Sequence, residues 1–475
     1  MKTATTMKTS RKASLITVAL ALTLTACAGN DNAPGTGKPA EPAAPGNAAG
    51  AEQAFDNPEL NIAVFQGGYG REYWDSVAEA FMAANPGTKI SITASPKIAE
   101  MVRPKIVAGN PPDFMYISGS DNTPILDGLI KDQALLDLTD IFDGPAGDGE
   151  GALRDKILPG VLESRSSSPY GDGKIYLAPY NFGVMGLWYN KTLFDDQGIE
   201  PPRTWDAFFA LNETAAAHDR ALFTYQGLYP GYLEEMLVPA VYSVGGQEAL
   251  DQLFNYDPAF WSSESFTQAW GILERIAQED NALMKGTVAL NHTQSQTSFL
   301  QGEAMFIPNG TWFEDEMKDA PREDGFQFGF LGVPAFGEGK DVMALSNVEQ
   351  MVIPAKAKNP ELAKAFLRFL YTEESVLLNA EKAKGVLAVV GAPDLVKEHI
   401  SETTYNIYKA VDSGMATING GFGPVAKGSK YNPSDEVYKP ISSIMSKQLS
   451  LDEYSANLTK IYTDIRAELE ASGAE

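Results

Sequence analysis

ELNIAVFQGGYGREYWDSVAEAFMAANPGTKISITAS, residues 59–95, reads as a strand, a loop, a helix and a second strand. ELNIAVF is a short apolar run of strand length, and KISITAS alternates apolar and polar positions as a strand does. Between them Trp74, Val77, Phe81 and Met82 share one face of a helix, which Asn85, Pro86 and Gly87 bring to an end. A helix over residues 98–108 and a third strand in DFMYISGS continue the pattern. Strands separated by helices imply a mostly parallel sheet and an α/β fold class. Ligands of such sheets bind beyond the carboxyl ends of the strands, here the loops 66–70 and 119–122.

Later segments repeat the theme. VMGLWYN is a strand, TWDAFFALNETAAAHD a helix capped by Thr204, and ELAKAFLRFLYTEESVLLNAE one long amphipathic helix after Asn359 and Pro360. SSIMSKQLSLDEYSANLTKIYTDIRAELEA reads as helical throughout. With 475 residues, 44% of them apolar, the chain can bury a large core in two or three domains. Its net charge of -25 repels phosphate backbones, which argues against a nucleic-acid partner.

Residues 1–26 begin basic and continue through a weakly polar to apolar stretch, residues 13–26, too short to span a bilayer. They read as a secretion signal. The one cysteine, Cys27, directly follows Leu24, Thr25 and Ala26, which resembles a bacterial lipoprotein processing site. On that reading Cys27 becomes an acylated N-terminus at the extracellular face of the cytoplasmic membrane, and the mature chain has no disulfide. Residues 28–50 hold 16 Ala, Gly or Pro among 23 and read as a flexible tether.

Reactive chemistry is sparse. In GGYGRE the positions of Gly67, Gly68 and Gly70 do not give a dinucleotide loop and no Walker lysine follows, so no nucleotide cofactor is expected. His218, His292 and His399 lie far apart without paired spacing, which leaves no metal or Ser-His-Asp site to read. Carboxylate pairs such as Glu234 with Glu235, and Glu314, Asp315 and Glu316, are expected to be mostly solvated surface among 62 acids.

Aromatic residues stand instead in Gly- or Pro-bearing stretches. They include Tyr69 in QGGYG, Tyr180 in APYNFG, Tyr225 and Tyr229 in LFTYQGLYPGYLEEM, and Trp312 in PNGTWF. Such rings offer an apolar face and, for Tyr and Trp, a polar edge, which suits the CH faces and hydroxyl rim of a sugar. Gln66, Asp121, Asn122, Asn181, Gln226, Asn309, Asn347 and Glu349 stand beside them as hydrogen-bonding candidates. Taken singly, each of these residues also suits a turn or a core.

Several stretches, in order, resemble the extracellular carbohydrate-binding proteins of bacterial ATP-driven importers, the family of maltose-binding protein. They are GNPPDFMYI, LWYNKTLFDDQGIEPPRTWDAF, TSFLQGEAMFIPNGTWFEDEM and NPELAKAFLRFLYTEESVLLNAEKAKGVLAVV. The resemblance implies a two-lobed periplasmic-binding-protein type II fold with the sugar between the lobes, hinge crossovers near residues 180–184 and 344–352, and closure on binding. It implies one lobe of residues 58–182 with about 348–395 and another of 183–347 with about 396–475, preceded by a leader over 1–26 and a linker over 27–57. It places Gln66 and Tyr69 in the first-strand loop, Asp121 where relatives use an acid, and Trp312 as the stacking tryptophan. Gln226 and Tyr229 fall in a segment that gives maltodextrin binders an acid, and here the acid is absent. FTYQGLYPGY and FIPNGTWFEDEM are most similar to the group associated with N-acetylglucosamine and chitobiose uptake.

The resemblance implies a non-enzymatic monomer that passes its ligand to a membrane permease. The competing reading is a cell-surface hydrolase or lyase, because a two-carboxylate site is defined by distance in space. Fatty-acid labelling should mark the wild-type chain at the membrane and fail on Cys27→Ala; equal labelling of both would remove the lipid anchor.

Overall fold

The computed structural model describes residues 55, 57–117, 125–149, 151–337, 339 and 341–472. The leader, Cys27, the tether, Asp121 and Asn122 lie outside them. β1 (Glu59–Phe65) pairs in parallel with β2 (Lys89–Ser95) on one side and β3 (Phe114–Tyr116) on the other. The helix Glu72–Ala84 buries Tyr73, Trp74, Val77 and Phe81, whereas Met82 is only half-buried. Tyr73 takes the place expected of it, since one face four residues wide is enough for a helix packed on a sheet.

Two long strands carry the sheet onward. β4 (Ala178–Asn190) pairs with β8 (Met343–Val352), and β8 also pairs with β3. Further along, β4 pairs with β6 (Ala304–Gly310) and β7 (Phe328–Leu331), β6 with β5 (Ala221–Phe223), and β8 with β9 (Ala416–Ile418). The order is β2-β1-β3-β8-β4-β6-β5. Every pairing made by β4 is antiparallel, so the sheet is mixed and not mostly parallel. β4 and β8 traverse the sheet in opposite senses, one leaving the β1–β3 half and one returning to it.

Between Pro179 and Phe182 the pairing of β4 with β8 shifts register: Pro179 faces Gln350 and Phe182 faces Val348. Three residues of β4 thus advance against two of β8, a bulge that also accommodates the proline, which has no ladder donor. The bulged segment is tied down by a buried polar network. Tyr180 donates to Asn379 Oδ1 (3.0 Å), Asn379 Nδ2 donates to Asn181 Oδ1 (2.7 Å), and Tyr371 donates to the Pro179 carbonyl (2.5 Å).

The resembling segments have structural causes. Asn190 accepts from Leu193 N (3.2 Å) to cap the helix Lys191–Gln197, which ends at Gly198 with φ of 64°. Thr204 accepts from Ala207 N (3.2 Å) and caps Trp205–Ala210. Asp113, 1% exposed, accepts from the backbone N–H of Asn61 (2.9 Å), Lys358 (2.8 Å) and Asn359 (3.0 Å). One carboxylate therefore joins β1, β3 and the start of the helix Pro360–Phe369.

The long helices are segmented. Pro360–Phe369 and Glu373–Ala383 are separate because Thr372 caps the second, accepting from Ser375 N (3.4 Å). The C-terminal stretch breaks between Ile441–Met445 and Leu451–Ser472, where Lys447 takes φ of 61°. One core cluster gathers Leu60, Val64, Trp74, Phe114, Tyr116 and Phe366, and a second gathers Phe223, Leu237, Trp261, Trp270 and Tyr454. Asp113→Ala leaves one buried and two partly buried N–H groups without this partner and is expected to cost about 3 kcal/mol by denaturant unfolding; a loss under about 1 kcal/mol would mean that other groups hold this junction.

Candidate functional site

Trp312 follows β6 and is half-buried. Its ring lies against a floor of glycines. A Cβ on Gly310 would come within 2.3 Å of the ring, and one on Gly183 within 3.1 Å. Gly183 pairs with Asn347, so the ring rests where β4 and β8 run side by side. The loop after β1 comes to the same place: a Cβ on Gly68 would lie 3.9 Å from the Cβ atoms of both Trp312 and Glu316. Strand residues alternate between faces, and Asn347 and Glu349 share one face of β8.

Glu349 stands among tyrosines. Burial pushes its carboxyl up to about 7, partly offset by a hydrogen bond with Tyr116, and its Oε2 is buried without a partner. Tyr69, half-buried, packs edge-on against Tyr180 at 6.3 Å. Burial raises its hydroxyl pKa, and the nearby Glu349 and Tyr408 add to the effect. Tyr408 donates to the Phe182 carbonyl (2.5 Å).

A second wall comes from the chain after β5. Tyr229, 38% exposed, meets the His292 ring edge-on at 5.4 Å. The Tyr232 hydroxyl is raised by burial and then by Glu316, Glu235 and Tyr229. Gln296 Nε2 donates to Glu316 Oε2 (3.0 Å). Burial raises Glu316, pushes Glu234 up to about 7, and raises Glu235, to which Glu234 adds. These acids are not the solvated surface expected of them: Glu235 is 4% exposed, and Glu234 and Glu316 are half-buried. The missed signal is MLVPAVY directly after Glu235, apolar on every side of its helix and hence buried.

The expected contact residues divide. The structure brings Tyr69, Trp312, Asn347 and Glu349 together, with Gln66 exposed on the adjoining loop and Tyr229 on the second wall. Tyr180, Asn181, Tyr225, Gln226 and Asn309 are fully buried. Tyr180 and Asn181 lie in the bulged strand, not in a turn. LFTYQGLYPGYLEEM begins as β5, so Phe223 and Tyr225 stack in the core, and only its later rings reach the surface. Gln226 donates to the Pro308 carbonyl (2.9 Å), and Asn309 accepts from Gly310 N (2.9 Å). A cavity of about 870 Å³ lies on the other face of β8, lined by Ser346, Val348 and Gln350, and touches none of the expected contact residues. Sequence reading missed Tyr116, Tyr408 and Gln296, whose positions depend on packing alone.

Residues 67–376 match the family model described as bacterial extracellular solute-binding protein. The chain belongs to that family. Extracellular solute-binding proteins are binders and not enzymes, which removes the hydrolase or lyase reading. This solute-binding protein is 28% identical over 359 residues to the diacetylchitobiose binding protein NgcE of Streptomyces coelicolor, covering 74% of this chain and 72% of the relative. It is 20% identical over 305 residues to the multiple sugar-binding protein of Streptococcus mutans, covering 63% and 68%. A solved chitin oligosaccharide binding protein superposes with a TM-score of 0.68 at 20% identity, over 87% of this chain and 100% of that one. The fold of this solute-binding protein is the two-lobed periplasmic-binding type.

A carboxyl with a raised folded pKa holds its proton more firmly in the folded chain. The stability tied to Glu349 is complete below about pH 4.5 and falls as pH rises towards 7, by at most ~3 kcal/mol. Glu349→Gln should flatten that part of the stability–pH curve measured by urea unfolding. An unchanged slope would show that this carboxyl is well solvated.

Proposed function

We propose that this solute-binding protein captures an oligosaccharide and delivers it to the permease of an ABC importer, with the N-acetylglucosamine dimer chitobiose as the first candidate ligand. The observation that carries the reading is Trp312 laid over glycines, facing the Gly68–Tyr69 loop and flanked by Glu349 and Asn347. A flat ring on a flat floor suits the CH face of a pyranose, while a carboxyl, an amide and a tyrosine hydroxyl suit its hydroxyl rim. The Streptomyces relative supports the choice of chitobiose.

Gln66, Tyr69, Tyr229, Trp312, Asn347 and Glu349 are the contacts in this proposal. Asp121 and Asn122 remain candidates on the resemblance alone. Tyr180, Asn181, Tyr225, Gln226 and Asn309 hold the frame that aims the contacts. The lobes take residues 58–182 with about 348–395 and 183–347 with about 396–475, and bending at β4 and β8 closes them over the sugar. Cys27 and the tether hold the molecule at the outer face of the membrane as a monomer.

Calorimetry with chitobiose, N-acetylglucosamine and a maltodextrin tests the reading. Trp312→Ala should weaken binding by ~1–3 kcal/mol. Gly310→Ala should weaken it too, because the new methyl lifts the ring from its floor. Heat from none of the three sugars would end the carbohydrate reading, and full affinity in both variants would move the site away from Trp312.

A further inference from the structure

The second wall collects hydrogen-bond acceptors, and His292 is the basic group that acts on Glu316 there. Glu235 Oε2 and Gln296 Oε1 are buried without a partner, although Gln296 is held at the wall by its bond to Glu316. Gln296 is fully buried, and Glu235 nearly so. The Tyr438 hydroxyl, whose pKa is raised by burial and by Glu234, is also without a partner. Among the described residues no Lys or Arg forms an ion pair with Glu234, Glu235, Glu316 or Glu349. Glu316 lies one helical turn beyond Trp312 and opposite Gly68, so this wall borders the site already described.

Buried acceptors are costly unless a donor reaches them, and buried acids are costly unless a cation does. A neutral sugar hydroxyl gives one donor. An ammonium gives three donors and a charge, and its bonds to carboxylates are the stronger kind. We infer that the wall built from Glu316, Gln296, Tyr232 and Glu235 takes an ammonium group, so that the deacetylated form of the proposed chitobiose ligand, a glucosamine oligosaccharide with a free amine, binds more tightly than chitobiose itself. The inference rests on the reading of the site as a sugar cleft. Burial raises the carboxyls of Glu234, Glu235 and Glu316, Gln296 and His292 partly offset it at Glu316, and a bound cation would act in the same sense as His292.

Three β-1,4-linked dimers that differ at C2 separate the possibilities: glucosamine dimer (ammonium), chitobiose (acetamido) and cellobiose (hydroxyl). Calorimetry of the full chain near pH ~7.5, where a sugar amine is still partly charged and Glu234 is largely ionised, should give the glucosamine dimer at least ~10-fold tighter binding than the other two. In Glu316→Gln the ratio of glucosamine-dimer to cellobiose affinity should fall ~10-fold. A ratio does not depend on the folded fraction of the variant, and Glu235→Gln gives a second check. Chitobiose or cellobiose binding as tightly as the glucosamine dimer would overturn the inference and leave the sugar cleft standing. An unmoved ratio in both variants would also overturn it. No binding of any dimer would overturn both.

Discussion

The pairing of β4 with β8 is the constraint on which the molecule depends. These strands belong to both halves of the sheet, so the position of every loop around the site follows from their register. β3 reaches the rest of the sheet through β8, and β6 and β7 reach it through β4. The bonds of Tyr180, Asn379 and Tyr371 fix the bulge where the pairing is least regular. Tyr371 satisfies the Pro179 carbonyl there, and Val386 and Ala388 pair the backbone of Phe182 and Tyr180, so the irregular stretch keeps its backbone groups bonded.

Above this pair, the site is built from opposite requirements. Gly183 and Gly310 give up side chains so that one large ring can lie flat, whereas the tyrosines and acids around it are crowded in. Dense packing holds the aromatic rings rigid, and rigid rings lose little entropy when a ligand arrives. The same packing strips water from Glu349, Glu316 and Glu235. Stability is thereby exchanged for groups ready to bond.

The fold was legible where local chemistry decides the structure. The run ELNIAVF, the stop at Asn85-Pro86-Gly87 and the caps Asn190 and Thr204 each act within a few residues, so their effect can be read along the chain. Tyr180 was not legible, because Pro179 and Gly183 mark a turn in most contexts and mark a bulge only when a partner strand is present. Tyr225 and Gln226 likewise stand beside Gly227 and Pro230 but follow directly from a buried strand. Of the site, Trp312 and Tyr69 were legible as rings in broken stretches. The surroundings of Glu349 were not, since Tyr69, Tyr116, Tyr180 and Tyr408 reach it from four distant parts of the chain.

The bulge in β4 also sets what kind of change the lineage of this chain can tolerate. The extra residue of β4 is taken up between Pro179 and Phe182, so the pairing beyond it is regular and Gly183 faces Asn347. Side chains at the crossing can be exchanged one at a time. A single-residue deletion inside the bulge would remove the extra residue and leave these later pairs in place, whereas a deletion beyond Phe182 would turn every later side chain of β4 to the opposite face. Changes beside the candidate site should therefore arise by substitution, while insertions and deletions are confined to the bulge and the loops.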